Sequence, residues 1–102
     1  MGSRIVDRIL VGRDERFEED GEVWFWTLVV GGSDGDEIGH VWIHDGRDVE
    51  SIALPIGGPY WRTYSRHYLP RGAAGSWAVE ARNASGSVLA RAEFLCTARA
   101  ER

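Results

Sequence analysis

The sequence predicts an all-β domain, and three observations carry the prediction. Short runs rich in Val, Ile, Trp and Tyr recur along the 102 residues. Glycine-bearing turns separate them, and no stretch keeps a helical period of apolar residues for three turns. Seven such runs in about a hundred residues predict a seven-stranded immunoglobulin-like antiparallel β-sandwich.

Strands are expected at Arg4 to Val11, Glu22 to Val30, Glu37 to His44, Asp48 to Pro55, Trp61 to Arg66, Ser76 to Arg82 and Ser87 to Thr97. Asp45-Gly46 joins two apolar runs as a two-residue hairpin, because both central positions of the favoured turn need positive φ, which Asp tolerates and Gly accepts freely. GGSDGD at 31–36 and NASGS at 83–87 have the same character. Pro59 stops any strand before Trp61, and Leu69-Pro70 through Gly75 reads as a longer connection. The expected unit is one domain over 4–97, with flexible termini at 1–3 and 98–102.

Composition excludes several classes. A formal charge of −4 is wrong for generic binding to the phosphate backbone, so no nucleic acid is expected as a partner. No apolar run approaches the roughly 20 residues of a membrane span, so no membrane insertion is expected. The start, MGSRIVDRIL, lacks the features of a signal peptide. All the basic residues are arginine. Acidic residues crowd the stretch 14–22, which reads as a solvated loop, while Arg62, Arg66, His67 and Arg71 crowd another. A single cysteine, Cys96 in AEFLCTA, cannot form an intramolecular disulfide and reads as a small buried hydrophobe.

The succession VWFWT, HVWIHDG, YWRTYS, GSWAVE and SGSVLARAEF resembles the bacterial domain of unknown function 2914, with its His-x-Trp, Trp-Arg-x-x-Ser and Gly-x-Trp-x-Val strands in that order. The likeness spans nearly the whole chain. Where that family typically continues its first strand with Arg-Glu-Pro, Arg13-Asp14-Glu15 stands here, so the local turn is expected to differ. The resemblance implies the fold and an accessory module of a periplasmic or cell-envelope protein; it carries no activity and no cofactor.

Alternation puts His40, Trp42 and His44 on one side of their strand and Val41 and Ile43 on the other. In the preceding strand Trp24, Trp26, Leu28 and Val30 alternate with Val23, Phe25, Thr27 and Val29. Both sides of both strands are greasy enough to be buried, yet a simple sandwich buries one face of each sheet. By analogy with sandwiches that bury a tryptophan on the third strand, Trp24, Trp26, Trp42, Trp77 and Phe94 are expected inside, with His40 and His44 hydrogen-bonded near the two ends of the core. Val23, Phe25, Val29, Val41 and Ile43 then form an outward patch suited to a protein partner or a homodimer. The inverse phase would expose Trp24, Trp26, His40, Trp42 and His44 as a platform for stacking against polysaccharide. A further surface is YWRTYSRHY at 60–68, where Arg62, Tyr64 and Arg66 share one side and either bind an anionic ligand or lace the sheet to the acidic loop.

Catalytic spacings are missing: no phosphate loop, zinc-type cysteine pair, nucleophile elbow or EF-hand ladder occurs. SDGDE at 33–37 contains ordinary turn residues. His40 and His44, about 13 Å apart along a strand, cannot chelate one ion together, so no metal is expected. The expectation is a non-enzymatic accessory interaction module, with a carbohydrate-binding module as the alternative.

Overall fold

In the computed structural model, residues 4–11 and 16–98 are described, the first of these segments by its backbone except at Ile5. Eight strands follow in order: β1 (Arg4–Val11), β2 (Arg16–Glu18), β3 (Glu22–Val30), β4 (Glu37–His44), β5 (Arg47–Pro55), β6 (Tyr60–Tyr68), β7 (Gly75–Arg82) and β8 (Val88–Thr97). No helix occurs among the described residues. The strands form a three-stranded sheet, β1-β3-β6, and a five-stranded sheet, β2-β8-β7-β4-β5. The two enclose one main core, giving the immunoglobulin-like sandwich that the strand count predicts.

All seven expected strands are present, with ends that differ by at most two residues. The eighth, β2, falls in the acidic run that reads as loop, and it pairs in parallel with β8. Its anchor is Phe17, only 7% exposed, whose ring meets Phe94 edge to face at 5.2 Å. A single aromatic residue between charges gives no alternation to detect, which is why this strand escapes a pattern reading. The expected turn at Arg13-Asp14-Glu15 and the expected flexible residues 1–3 and 99–102 lie outside the described residues.

The β4–β5 hairpin turns on Asp45 and Gly46 at φ 50° and 83°, the left-handed pair its sequence calls for. At 83–87 Asn83 Oδ1 accepts hydrogen bonds from the backbone N–H groups of Ser85 and Ser87, closing the β7–β8 turn. Asp36 Oδ2 accepts from the Ser33 N–H in the SDGDE turn.

The core lies between the sheets. From the three-stranded sheet come Val23, Phe25 and Val29; from the five-stranded one come Ile38, Trp42, Trp77, Val79 and Phe94. Trp42 is the hub, with Phe25 and Phe94 set edge to face at 6.4 and 6.3 Å. Cys96 is buried and is free, and burial together with the charge of Glu19 pushes its thiol pKa up.

Three expectations about faces are corrected here. Val23, Phe25 and Val29 are not an outward patch: all three are completely buried. Trp24 and Trp26 are accordingly not interior but stand on the outer face of the three-stranded sheet, Trp26 at 36% exposure. The physical reason is the narrow sheet: with β1 and β6 as its neighbours, β3 buries the side whose side chains, Val and Phe, fill the layer opposite Trp42, leaving the larger indoles outside. Finally, Val41 and Ile43 cannot extend a patch from Val23 and Phe25, because β3 and β4 belong to different sheets. With Ala78 they make a small separate cluster on the outer side of the five-stranded sheet, 5% and 8% exposed.

Candidate functional site: the outer face and edge of β6

Glycine-poor, β-branched and aromatic residues make β3 and β6 long and regular. They pair antiparallel over nine consecutive residues, Glu22↔Tyr68 through Val30↔Tyr60, with no bulge. Directly opposed residues share a face, so Trp24↔Arg66, Trp26↔Tyr64 and Leu28↔Arg62 all project outward.

Side chains there are organised as a ladder. The Tyr64 ring lies 5.3 Å from Trp24 and 4.6 Å from Trp26, at interplanar angles of 28° and 31°. Arg66 places its guanidinium 5.3 Å from the Trp24 ring centroid. The rings turn their faces on one another, leaving edges, the Tyr64 hydroxyl and the guanidinium groups for solvent. Tyr60, Tyr64 and Tyr68 are 74%, 45% and 52% exposed. Arg66 has a distant carboxylate in Glu22 at 3.9 Å, and Arg62 has no ion pair among the described residues.

Of the residues expected in an aromatic platform, Trp24 and Trp26 stand together here, joined by Arg62, Tyr64 and Arg66 of the separately expected surface on the 60–68 strand. His40, Trp42 and His44 do not. Trp42 is fully buried, and His40, expected near an end of the core, lies wholly inside it. From the five-stranded sheet His40 reaches across to the other: its Nδ1 is 2.6 Å from Ser65 Oγ on β6 and its Nε2 3.2 Å from Thr27 Oγ1 on β3. A neutral imidazole has one donor and one acceptor, and each hydroxyl complements either role, so all three polar groups are satisfied. Burial lowers the His40 pKa to about 4. His44 is partly exposed at the end of β4, stacked on Trp77 at 4.5 Å, with Asp45 Oδ2 3.4 Å away.

Of Arg62, Tyr64 and Arg66, the residues expected to lace the sheet to the acidic loop or to bind an anion, only Arg66 reaches that stretch, at Glu22, and the closer ties come from other residues. Tyr68 donates to Asp20 Oδ1 at 2.8 Å, Arg71 pairs with Asp20 at 3.6 Å and the Gly72 N–H donates to Glu19. These contacts tie the end of β6 and the following loop to the start of β3.

Two arrangements had no signal in the pattern. His67, on the inner side of β6, bonds through Nδ1 to Glu50 Oε1 of β5 at 2.5 Å and stacks 5.4 Å from Trp42. On the outer side of the five-stranded sheet, Glu80 is bound by Arg82 at 2.6 Å and by Arg91. Burial alone would raise the Glu80 pKa, but the hydrogen bonds and charges of Arg82 and Arg91 hold it below the usual carboxylate range. Beside it a groove of about 590 Å³ is lined by Arg16, Ile43, Ala78, Arg91, Glu93 and Leu95 among others. Among the described residues no three His, Cys, Asp or Glu gather into a metal-holding group.

Residues 35–95 match a family model described as protein of unknown function, DUF2914. The chain belongs to the DUF2914 family. No curated protein matches it. Among solved structures it is similar to a Niemann-Pick type C2 protein from Japanese carpenter ant, at a TM-score of 0.58 and 12% identity, covering 95% of this chain and 92% of that one. At that identity the likeness is one of fold. For this DUF2914 member, the pieces on which its resemblance rests meet in space: His40 of His-x-Trp bonds Ser65 of Trp-Arg-x-x-Ser, and Trp42 shares the core with Trp77 of Gly-x-Trp-x-Val.

Proposed function

We propose that this chain is a binding module that contacts a protein partner through the outer face of its three-stranded sheet. One observation carries the reading: Trp24, Trp26, Tyr64, Arg62 and Arg66 stand together on an exposed strand pair, and Trp, Tyr and Arg are the residues that dominate binding energy at protein interfaces. Ordered stacking supports it further, because side chains already held against each other lose less freedom when a partner arrives. The absence of recognisable catalytic spacing in the sequence is why the proposal is a non-enzymatic role.

The test is selection of displayed random peptides on the wild-type domain and on a Trp26→Ser/Tyr64→Ser double variant of matched melting temperature. Peptides that hold to the wild type and not to the variant support the reading. Peptides that hold equally to both, or no enrichment at all, overturn it. Soluble polysaccharide run in affinity electrophoresis probes the sugar-binding reading with the same pair. Retardation that depends on Trp26 and Tyr64 would move the face from protein to carbohydrate.

A further inference from the structure

Four strands end the two sheets, and three of them carry a feature that discourages further pairing. β2 has only three residues. β1 is interrupted by a register shift between Ile5 and Asp7. β5 carries a shift opposite Trp42 and Ile43, with Val49 the extra residue, and ends in Pro55. Short length, bulges and prolines are the usual means by which an edge is kept from recruiting another strand. β6 has none of them: nine residues without proline or bulge, and no backbone hydrogen bond beyond its ladder with β3 among the described residues.

We propose that β6 is a strand-addition site that takes an extended acidic peptide segment of another protein, with carboxylates four residues apart. The inference rests on the binding face proposed above and names its partner chemistry. The main chain of the incoming segment pairs with the open edge, while its alternate side chains meet the outer face. Directly opposed residues in a strand pair share a face, so the positions opposite Arg62 and Arg66 are four apart on the partner, and the position between them lies against Tyr64. Carboxylates at the outer two and a β-branched or aromatic residue between them complement what β6 displays.

The same spacing argues against a second copy of this chain. Full antiparallel pairing of β6 with itself centres on Tyr64 and sets Arg62 opposite Arg66 of the other copy, twice, with like charges directly facing. An acidic segment turns both repulsions into attractions.

The experiment starts from a displayed library of random nonapeptides, selected on the wild-type domain with counter-selection on an Arg62→Glu/Arg66→Glu variant. Both side chains are exposed, and a melting curve verifies that the variant folds. Enriched sequences are expected to carry Asp or Glu at positions four apart. The best is synthesised in two forms, N-methylated on one or the other set of alternate amides. One form should lose binding by at least about tenfold while the other keeps it, since only every second amide faces the β6 edge.

Binders that require Trp26 and Tyr64 but tolerate both methylation patterns would overturn strand addition and leave the contact face standing. Binders without the paired acids would overturn the charge rule, and with it the acidic partner. No binder dependent on this face would overturn both. Light scattering across a wide concentration range tests the remaining occupant: a dimer that Arg62→Glu tightens, because the new carboxylate then faces Arg66 of the other copy, would replace the peptide with a second copy.

Discussion

His40 should make the stability of this domain depend on pH in a way that a single substitution removes. In the folded protein its pKa is lowered from 6.5 to about 4 by burial, since no carboxylate accompanies the Ser65 and Thr27 hydroxyls that hold the ring. Unfolded, the imidazole titrates near its ordinary value. Between those two values the unfolded chain binds a proton that the folded one does not, so stability falls as the pH falls. The contribution is intact above about pH 6.5 and is lost progressively down to about pH 4, where the loss reaches roughly 3 kcal/mol. From pH 7 to pH 5 the expected loss is about 2 kcal/mol. With a urea slope of about 1–2 kcal/mol per molar for a domain of this size, the unfolding midpoint should drop by roughly 1–2 M.

Urea unfolding of the wild type and His40→Gln at both pH values measures this. Glutamine keeps a donor and an acceptor for Ser65 and Thr27 but does not titrate, so the difference between the two proteins isolates His40 from every other acid-sensitive group. Because the variant will itself lose some stability, an NMR titration of the His40 ring in the wild type provides a second readout. Its resonances should stay at the neutral position from pH 7 to pH 5. A ring that titrates near 6.5, or a wild type and variant that lose equal stability, would refute the argument.

Other consequences follow from the placement of faces and charges. Phe25→Ala should cost about 3–5 kcal/mol by opening a cavity beside His40 and Trp42, whereas Trp26→Ala, removing a partly exposed ring, should cost about 1 kcal/mol or less; thermal or urea unfolding compares them. The reverse order would return the indoles to the core. Glu80→Gln should cost about 1–3 kcal/mol at neutral pH by unpairing Arg82 and Arg91. Because the Glu80 pKa is held below its ordinary 4.5, its stabilisation is present above that value and is lost as the pH falls from there through the lowered pKa of the folded state. Wild type and Glu80→Gln should therefore converge in stability in acid, and a gap that persists undiminished there would contradict an ionic origin.

The strands were legible because their ends are written in turn chemistry: Asp45-Gly46, Asn83 to Ser87 and Pro59 each stop or reverse the chain for a local reason. Which face of β3 is buried was not legible, since Trp24, Trp26, Leu28 and Val30 oppose a set just as apolar. Alternation reports a difference between faces, and here there was almost none. The choice was made by sheet partnership, with β3 beside β1 and β6 and β4 beside β7 and β5, a property of long-range pairing that no local window contains. The grouping of Arg62, Tyr64 and Arg66 could be read directly, because β6 does alternate: its inner Ser65 is buried and its outer neighbours are exposed. The bond from His40 to Ser65 spans 25 residues and two sheets, so its two ends were visible as motifs while their meeting was not.

A strand with one paired neighbour should fray unless something else holds it, and β6 has a substitute on its inner side. Ser65 bonds His40 and His67 bonds Glu50, two successive inward positions tied to the opposite sheet, while Arg66 between them points outward over Trp24. The inner face thus keeps the edge straight and the outer face displays it. Ser65→Ala separates the two roles, because Ser65 faces the core and cannot touch a partner on the outer face. Leaving the His40 nitrogen without its hydroxyl should cost about 1–3 kcal/mol and loosen the middle of the strand. Amide hydrogen exchange of Arg62 through Arg66 should accelerate more than that of β7, which keeps strands on both sides. If β6 amides in the variant exchange no faster relative to β7 than in the wild type, the strand is held by its ladder with β3 alone, and the cross-sheet bonds are not what orders the edge.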